Sequence, residues 1–184
     1  MRKPLYFLEH LFFYTTLLLL PFQLGLHFWP SFSFINGIRI DYLSPTIYIS
    51  DISITFLIIV FFINKKNQEL LIKQLFSNKE KTVLLSLFVC TLLVGIIFSK
   101  SPWVGVYGFV KLSELALFGY CVSRHVLKPT LIVALLGIGI SIESFLSVTQ
   151  FLYRGSVGGI FYFIGERFFT GETPGIANAS IAGK

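Results

Sequence analysis

The chain has 184 residues, of which 54% are hydrophobic and 13% are charged; its mean hydropathy is +0.78 and its formal net charge is +6. Soluble domains carry about 25% charged residues, whereas several apolar runs here approach the roughly 20 residues that cross a bilayer. The composition therefore excludes an ordinary soluble domain, and the positive charge does not indicate nucleic-acid binding because most basic residues fall in predicted cytoplasmic loops.

Five apolar segments predict an all-α fold, a polytopic transmembrane helix bundle with five spans. The first helix is expected to kink at Pro21 and to continue to about Gly25. Ser44 as N-cap and Pro45 at the first helical position predict the start of the second. The predicted helices cover residues 5-25, 45-63, 82-98, 103-123 and 130-153. They form one domain, 1-153, which is followed by an extracytoplasmic segment, 154-184.

The segment 21–51 between the first two helices is rich in aromatic residues, glycine and proline. Trp29 and Tyr42 are residue types that settle where lipid meets water. Gly25 and Pro30 interrupt regular structure. A plain connector of about 25 residues would be unusually long. The pattern therefore predicts a structured loop that lies on the membrane surface and faces a pocket.

The segment 65–81 carries five lysines and two glutamates between the second and third predicted helices. Leu71 and Leu75 contribute to a spacing that fits the apolar side of an amphipathic surface helix. A nucleic-acid patch is the alternative, but a cytoplasmic loop is favoured.

The basic residues are distributed unequally between the two sides of the predicted bundle. Assigned inside are Arg2, Lys3, Lys65, Lys66, Lys73, Lys79, Lys81, Arg124 and Lys128. Assigned outside are Arg39, Lys100, Arg154, Arg167 and Lys184. Because cytoplasmic loops carry the excess of lysine and arginine, the N-terminus is expected in the cytoplasm, and the 21–51 loop and the tail outside.

Ionisable residues within the predicted helices indicate one intramembrane polar cluster. Lys111 and Glu114 lie one turn apart, and Glu143 falls at comparable depth on the helix that follows. The short connection at 124–129 should make these two helices antiparallel neighbours, so we expect Lys111 to reach Glu114, Glu143 or both. A structural ion pair is favoured over a polar site or pathway. Asp51 either faces a cavity within the bundle or caps a helix that begins near Ser50; the sequence leaves both open.

Two segments carry a family resemblance: QLGLHFWPSFSFINGIRIDYLSPTIYISD in the loop and GGIFYFIGERFFTGETPGIANASIAGK in the tail. They resemble the amino-terminal part of bacterial O-antigen ligases and O-antigen polymerase-like membrane proteins. The resemblance implies a glycosyltransferase of the bacterial inner membrane that moves a glycan from an undecaprenyl diphosphate carrier to an acceptor. It also implies that catalytic residues lie beyond Lys184, so the chain is expected to be an amino-terminal fragment.

Outward arginines are the candidate ligands for the lipid diphosphate, since guanidinium groups bind phosphate in bidentate fashion. These are Arg39, Arg154 and Arg167, and anchoring at the interface is the alternative for each. The expected partners are membrane lipid and the undecaprenyl diphosphate-linked glycan, with no nucleic acid, no cofactor and no metal. A polysaccharide transporter or flippase fragment and a non-catalytic scaffold are the competing hypotheses.

Overall fold

The computed structural model describes residues 3–125 and 128–170, and this part of the chain is mostly helical. Its helices are α1 (Lys3–Leu19), α2 (Ile49–Ile63), α3 (Lys65–Leu75), α4 (Lys79–Ile97), α5 (Pro102–Arg124), α6 (Pro129–Tyr153) and α7 (Ile160–Phe163). Its strands are β1 (Gly25–His27), β2 (Phe34–Ile35), β3 (Ile38–Arg39) and β4 (Thr46–Tyr48). Single 3-10 turns cover Ser31–Ser33 and Asp41–Leu43.

Three helices, α4, α5 and α6, have the length and apolar composition that cross a membrane, as expected of a membrane protein. They contain 19, 23 and 25 residues, respectively. The other two predicted spans, α1 and α2, are apolar but shorter, with 17 and 15 residues.

The first predicted helix ends earlier and the second begins later than the sequence indicated. The first four residues predicted for the second helix, together with residues 25–27, instead form an antiparallel ribbon, in which Gly25 pairs with Tyr48 and His27 with Thr46. Pro45 suits this arrangement because its missing N–H costs nothing before an extended strand. The main-chain N–H of Phe28 donates to the Pro45 carbonyl at 2.9 Å and extends the ribbon by one contact.

The loop between α1 and α2 is structured, as predicted, but its two short ribbons are an addition to the all-α prediction. The second ribbon joins β2 to β3 through a turn at Asn36 and Gly37, which have φ angles of 51° and 79°. Asn-Gly with positive φ at both positions is the turn that matches the twist of a two-residue hairpin.

The core lies where α1 packs against α2, with one contribution from α5. Phe13 and Leu17 of α1 meet Leu57 and Phe61 of α2 and the buried Cys121 of α5. α5 packs in addition on α4, and α6 packs on α1.

Contrary to prediction, α5 and α6 are not close-packed neighbours along their lengths. Gly139 of α6 instead faces the end of α1. A Cβ atom at Gly139 would overlap the Leu18 carbonyl oxygen and lie 3.0 Å from Pro21 Cγ. Gly137, two residues earlier, has nothing within 4 Å of the equivalent position. The close approach therefore joins α6 to α1.

Replacing Gly139 by alanine should destabilise the protein by about 1–3 kcal/mol, because the added methyl group must push α6 away from α1. Gly137→Ala is the matched control, and it should be neutral or stabilising by about 0.5–1 kcal/mol. Unfolding midpoints of both variants in detergent micelles measure the difference. Equal midpoints for the two variants would contradict the α1–α6 contact.

Candidate functional site

A cleft of about 430 Å³ lies between α2 and α5, beside the β1–β4 ribbon. Its volume falls within the range of small-molecule sites, about 300–1,000 Å³. Most of its wall is apolar and comes from Phe28, Ile52, Phe56 and Val110. The cleft is therefore a low-polarity environment in which any charged group needs a partner.

Three charged side chains meet at this cleft: Asp51 of α2 with Lys111 and Glu114 of α5. The Lys111 ammonium donates to Asp51 Oδ2, and its Nζ lies 3.8 Å from Glu114 Oε2. The side chains are 16%, 22% and 14% exposed in the order Asp51, Lys111, Glu114. One ammonium therefore serves two largely buried carboxyl groups.

Backbone geometry holds Asp51 in place. Because α2 begins at Ile49, Asp51 stands in the first turn of the helix and accepts a hydrogen bond from the Tyr48 main-chain N–H at 2.6 Å. A carboxylate there satisfies one of the unpaired N–H groups of the helix end and interacts favourably with the helix dipole. Both alternatives for Asp51 are thus realised at once, since the same carboxylate caps α2 and faces the cleft.

Hydroxyl and aromatic groups complete the surroundings of Lys111. Thr55 Oγ1 donates to Glu114 Oε1 at 3.4 Å. The Lys111 Nζ lies 5.5 Å from the centre of the Tyr48 ring and 5.8 Å from that of Tyr107, within the range of cation–π attraction. Tyr107 also donates its hydroxyl hydrogen to the Thr46 carbonyl at 2.8 Å, which joins α5 to strand β4.

Glu143 does not join this cluster. The predicted Lys111–Glu114 contact is confirmed, but the predicted contact with Glu143 does not form because α6 packs on α1 rather than along α5. Glu143 Oε1 accepts from the Gln23 main-chain N–H at 3.4 Å. Its buried Oε2 has no hydrogen-bond partner within the described part of the chain.

The arginines predicted from the sequence occupy the loop and the tail. The Arg167 guanidinium carbon lies 5.8 Å from the centre of the Trp29 ring. Arg154 is exposed and ends α6 in the left-handed conformation, with φ 53° and ψ 37°. The side chain of Arg39 lies outside the described residues, although its main chain belongs to β3.

Glu166, which the sequence did not single out, organises the described tail. This carboxylate is buried and accepts from the Val157 and Gly158 main-chain N–H groups, each at 2.6 Å, and from Gln150 Nε2 at 2.8 Å. Its neighbour Gly165 has φ +103° and lies so close to the loop that a Cβ atom would come within 2.7 Å of the Gly25 backbone.

The main-chain N–H of Gly25 donates to the Gly165 carbonyl at 3.1 Å, and Trp29 lies under Arg167. Loop and tail therefore form one continuous surface at the same end of the bundle as the cleft. The only sequence signal for this contact is a glycine in each segment.

A second buried polar pair lies near the opposite end of α5. His125 Nε2 is 3.2 Å from Glu9 Oε1, and the Phe13 ring stacks on the His125 ring at 4.5 Å. Glu9 is only 7% exposed. The pair joins α1 to α5 where the two helices share the core.

Comparison of the chain with protein families, curated proteins and solved structures finds no match. The assignment of function therefore depends on the cleft, the joined loop and tail, and the chemistry of their side chains.

Asp51→Asn should destabilise the protein by about 1.5–3 kcal/mol, because it weakens both a helix cap and a charge-assisted hydrogen bond. Glu114→Gln, matched in size of change, should cost less than about 1 kcal/mol since it also relieves repulsion between two carboxylates. Unfolding midpoints in bicelles test this order. If Glu114→Gln is the more damaging substitution, Asp51 is not the principal partner of Lys111.

Proposed function

We propose that the chain belongs to a membrane glycosyltransferase of the O-antigen ligase and polymerase type, and that it binds the undecaprenyl diphosphate-linked glycan at its outer face. The supporting observation is the direct contact between loop and tail through Gly25 and Gly165. These are the two segments that carry the family resemblance. Their joining makes one polar-aromatic surface at which a carrier lipid can present its diphosphate.

The contact between loop and tail also supports five spans. If α4, α5 and α6 each cross the bilayer, the tail lies on the side opposite to the start of α4. The loop touches the tail, so the chain must cross once more between the loop and α4, and α2 is the helix that connects them. α1 packs against α2 and supplies the fifth span.

The proposed location is the bacterial inner membrane, with the N-terminus in the cytoplasm. The lysines of α3 and of the start of α4 lie at the end of the bundle away from the loop, and cytoplasmic segments carry the excess of basic residues. The loop and tail then face outward, where a diphosphate in the outer leaflet would approach them.

Two described arginines suit recognition of a diphosphate. Arg167 is held over the Trp29 ring, an arrangement that orients its planar guanidinium group. Arg154 occupies a left-handed backbone conformation that costs a residue other than glycine roughly 1–2 kcal/mol. An arginine in this conformation, where glycine would be unstrained, favours a role for its side chain.

The α2–α5 cleft supports a second candidate function, a transporter or flippase for polysaccharide intermediates. Ionisable groups within membrane-spanning helices commonly mark substrate or ion pathways. The grouping of two carboxyl groups, from Asp51 and Glu114, around the Lys111 ammonium fits such a pathway. A non-catalytic scaffold requires neither function, so it predicts that the chain does not bind undecaprenyl diphosphate.

The topology can be tested by cysteine labelling in intact cells after Cys90 and Cys121 are replaced by serine. Tyr42→Cys, at an 83% exposed loop position, should react with a membrane-impermeant thiol reagent. Gln74→Cys, exposed on α3, should react only after permeabilisation. The reverse labelling pattern would reverse the proposed orientation.

Binding of undecaprenyl diphosphate to the full chain tests the proposed function directly. With Trp103→Phe as background, Trp29 fluorescence reports the titration. Arg167→Gln should raise the dissociation constant about 10- to 100-fold, since a hydrogen bond to a charged group contributes about 1.5–3 kcal/mol. Arg167→Lys should lose less than Arg167→Gln.

Arg124→Gln is the matched control for that titration, because Arg124 is an exposed arginine at the opposite end of α5. It should bind undecaprenyl diphosphate as the unaltered chain does. Absence of binding by the unaltered chain, or equal weakening by Arg124→Gln, would contradict the proposed carrier site.

A further inference from the structure

Helix α3 differs from the other helices in carrying lysines on one side and exposed apolar residues on the other. Lys66 and Lys73 are seven residues apart and therefore share a face. Leu71 and Leu75 are four residues apart on the opposite face. Ile72 is 57% exposed and Phe76, at the helix end, is 69% exposed. Within the described chain, no other segment packs over this apolar side.

The position of α3 is fixed by hydrogen bonds to the end of α2. Asn67 Nδ2 donates to the Phe61 carbonyl at 2.9 Å, and Gln68 Nε2 donates to the Phe62 carbonyl. These side chains satisfy carbonyl groups that the last turn of a helix leaves unpaired. α3 is therefore a connecting helix held in place against the end of α2 rather than a freely moving linker.

The lysines of α3 and of the start of α4 have no ion-pair partner within the described residues. All five are exposed, and none has a described carboxylate within the 4.0 Å limit for an ion pair. They are Lys65, Lys66, Lys73, Lys79 and Lys81. The last two lie in the first turn of α4, where the helix dipole disfavours positive charge and favours an anion.

We infer that α3 and the start of α4 form a docking surface for the headgroups of anionic phospholipids. The apolar side of α3 enters the boundary between headgroups and acyl chains, while the lysines remain at the level of the phosphates. A zwitterionic surface would satisfy the apolar side but not the lysines, so charge complementarity selects an anionic lipid. The inference requires membrane insertion of the chain and is independent of glycosyl transfer.

The test uses the full chain reconstituted in phosphatidylcholine vesicles that contain either brominated phosphatidylglycerol or brominated phosphatidylcholine. Phe76→Trp, in a background with Trp29→Phe and Trp103→Phe, places one indole at the end of α3. Bromine quenches an adjacent indole, so the ratio of quenching by the two lipids gives the relative binding constant at this site. Circular dichroism of each variant verifies that its helix content is retained.

Phosphatidylglycerol should quench more strongly than phosphatidylcholine, and about 0.5 M salt should remove most of the preference by screening. Lys66→Gln and Lys73→Gln should each lower the relative binding constant by up to about fivefold. Glu69→Gln, on the same face, should raise it. Lys100→Gln, at the other end of α4, should leave it unchanged.

Equal quenching by the two brominated lipids at low salt would overturn the inference. A preference for phosphatidylglycerol that survives both Lys66→Gln and Lys73→Gln would also overturn it, because the selectivity would then come from another surface. Neither result bears on whether undecaprenyl diphosphate binds at the opposite end of the bundle, so the two proposals fail separately.

Discussion

The contact of the Lys111 ammonium with Asp51 and Glu114 is the interaction on which the end of the bundle beside the 21–51 loop depends. It joins α5 to the first turn of α2 in a cleft whose walls are largely apolar. In such surroundings an ammonium without a partner would be strongly unfavourable, so the contact fixes the relative position of the two helices. Asp51 in turn caps α2, which means that the same carboxylate determines where that helix begins.

The β1–β4 ribbon extends this constraint to the loop and the tail. Tyr107 of α5 donates to the Thr46 carbonyl in β4, and Gly25 of β1 donates to Gly165 in the tail. The buried carboxylate of Glu166 accepts hydrogen bonds from three donors, two in the tail and one in α6. Hydrogen bonds thus connect α5 to the ribbon and the ribbon to the tail. These bonds hold the surface that is proposed for the carrier lipid.

Hydropathy located the helices of this chain but not the partners of its buried charges. Apolar length predicted α4, α5 and α6 to within three residues at each end, since a span is determined by its own composition. Ser44-Pro45 was misread as a helix start because the same pair fits an extended strand equally well. Glu143 was assigned to Lys111 because a short connection usually makes two helices neighbours. Here α6 packs on α1, and pairing of α6 with α1 has no local sequence signal.

Glu114 is the member of the cluster that a purely structural role explains least. Asp51 alone compensates the charge of Lys111, and it also caps α2. The ion pair between α2 and α5 would therefore be complete without another carboxylate. Glu114 instead brings a second carboxyl group into a cleft of low polarity, where repulsion and desolvation both oppose its charged form. Thr55 gives it only a long hydrogen bond of 3.4 Å. Because the carboxyl group of Glu114 opposes the α2–α5 contact in which it lies, a role in ligand binding is favoured. A cation or a hydrogen-bond donor of a ligand would compensate the charge of this carboxyl group.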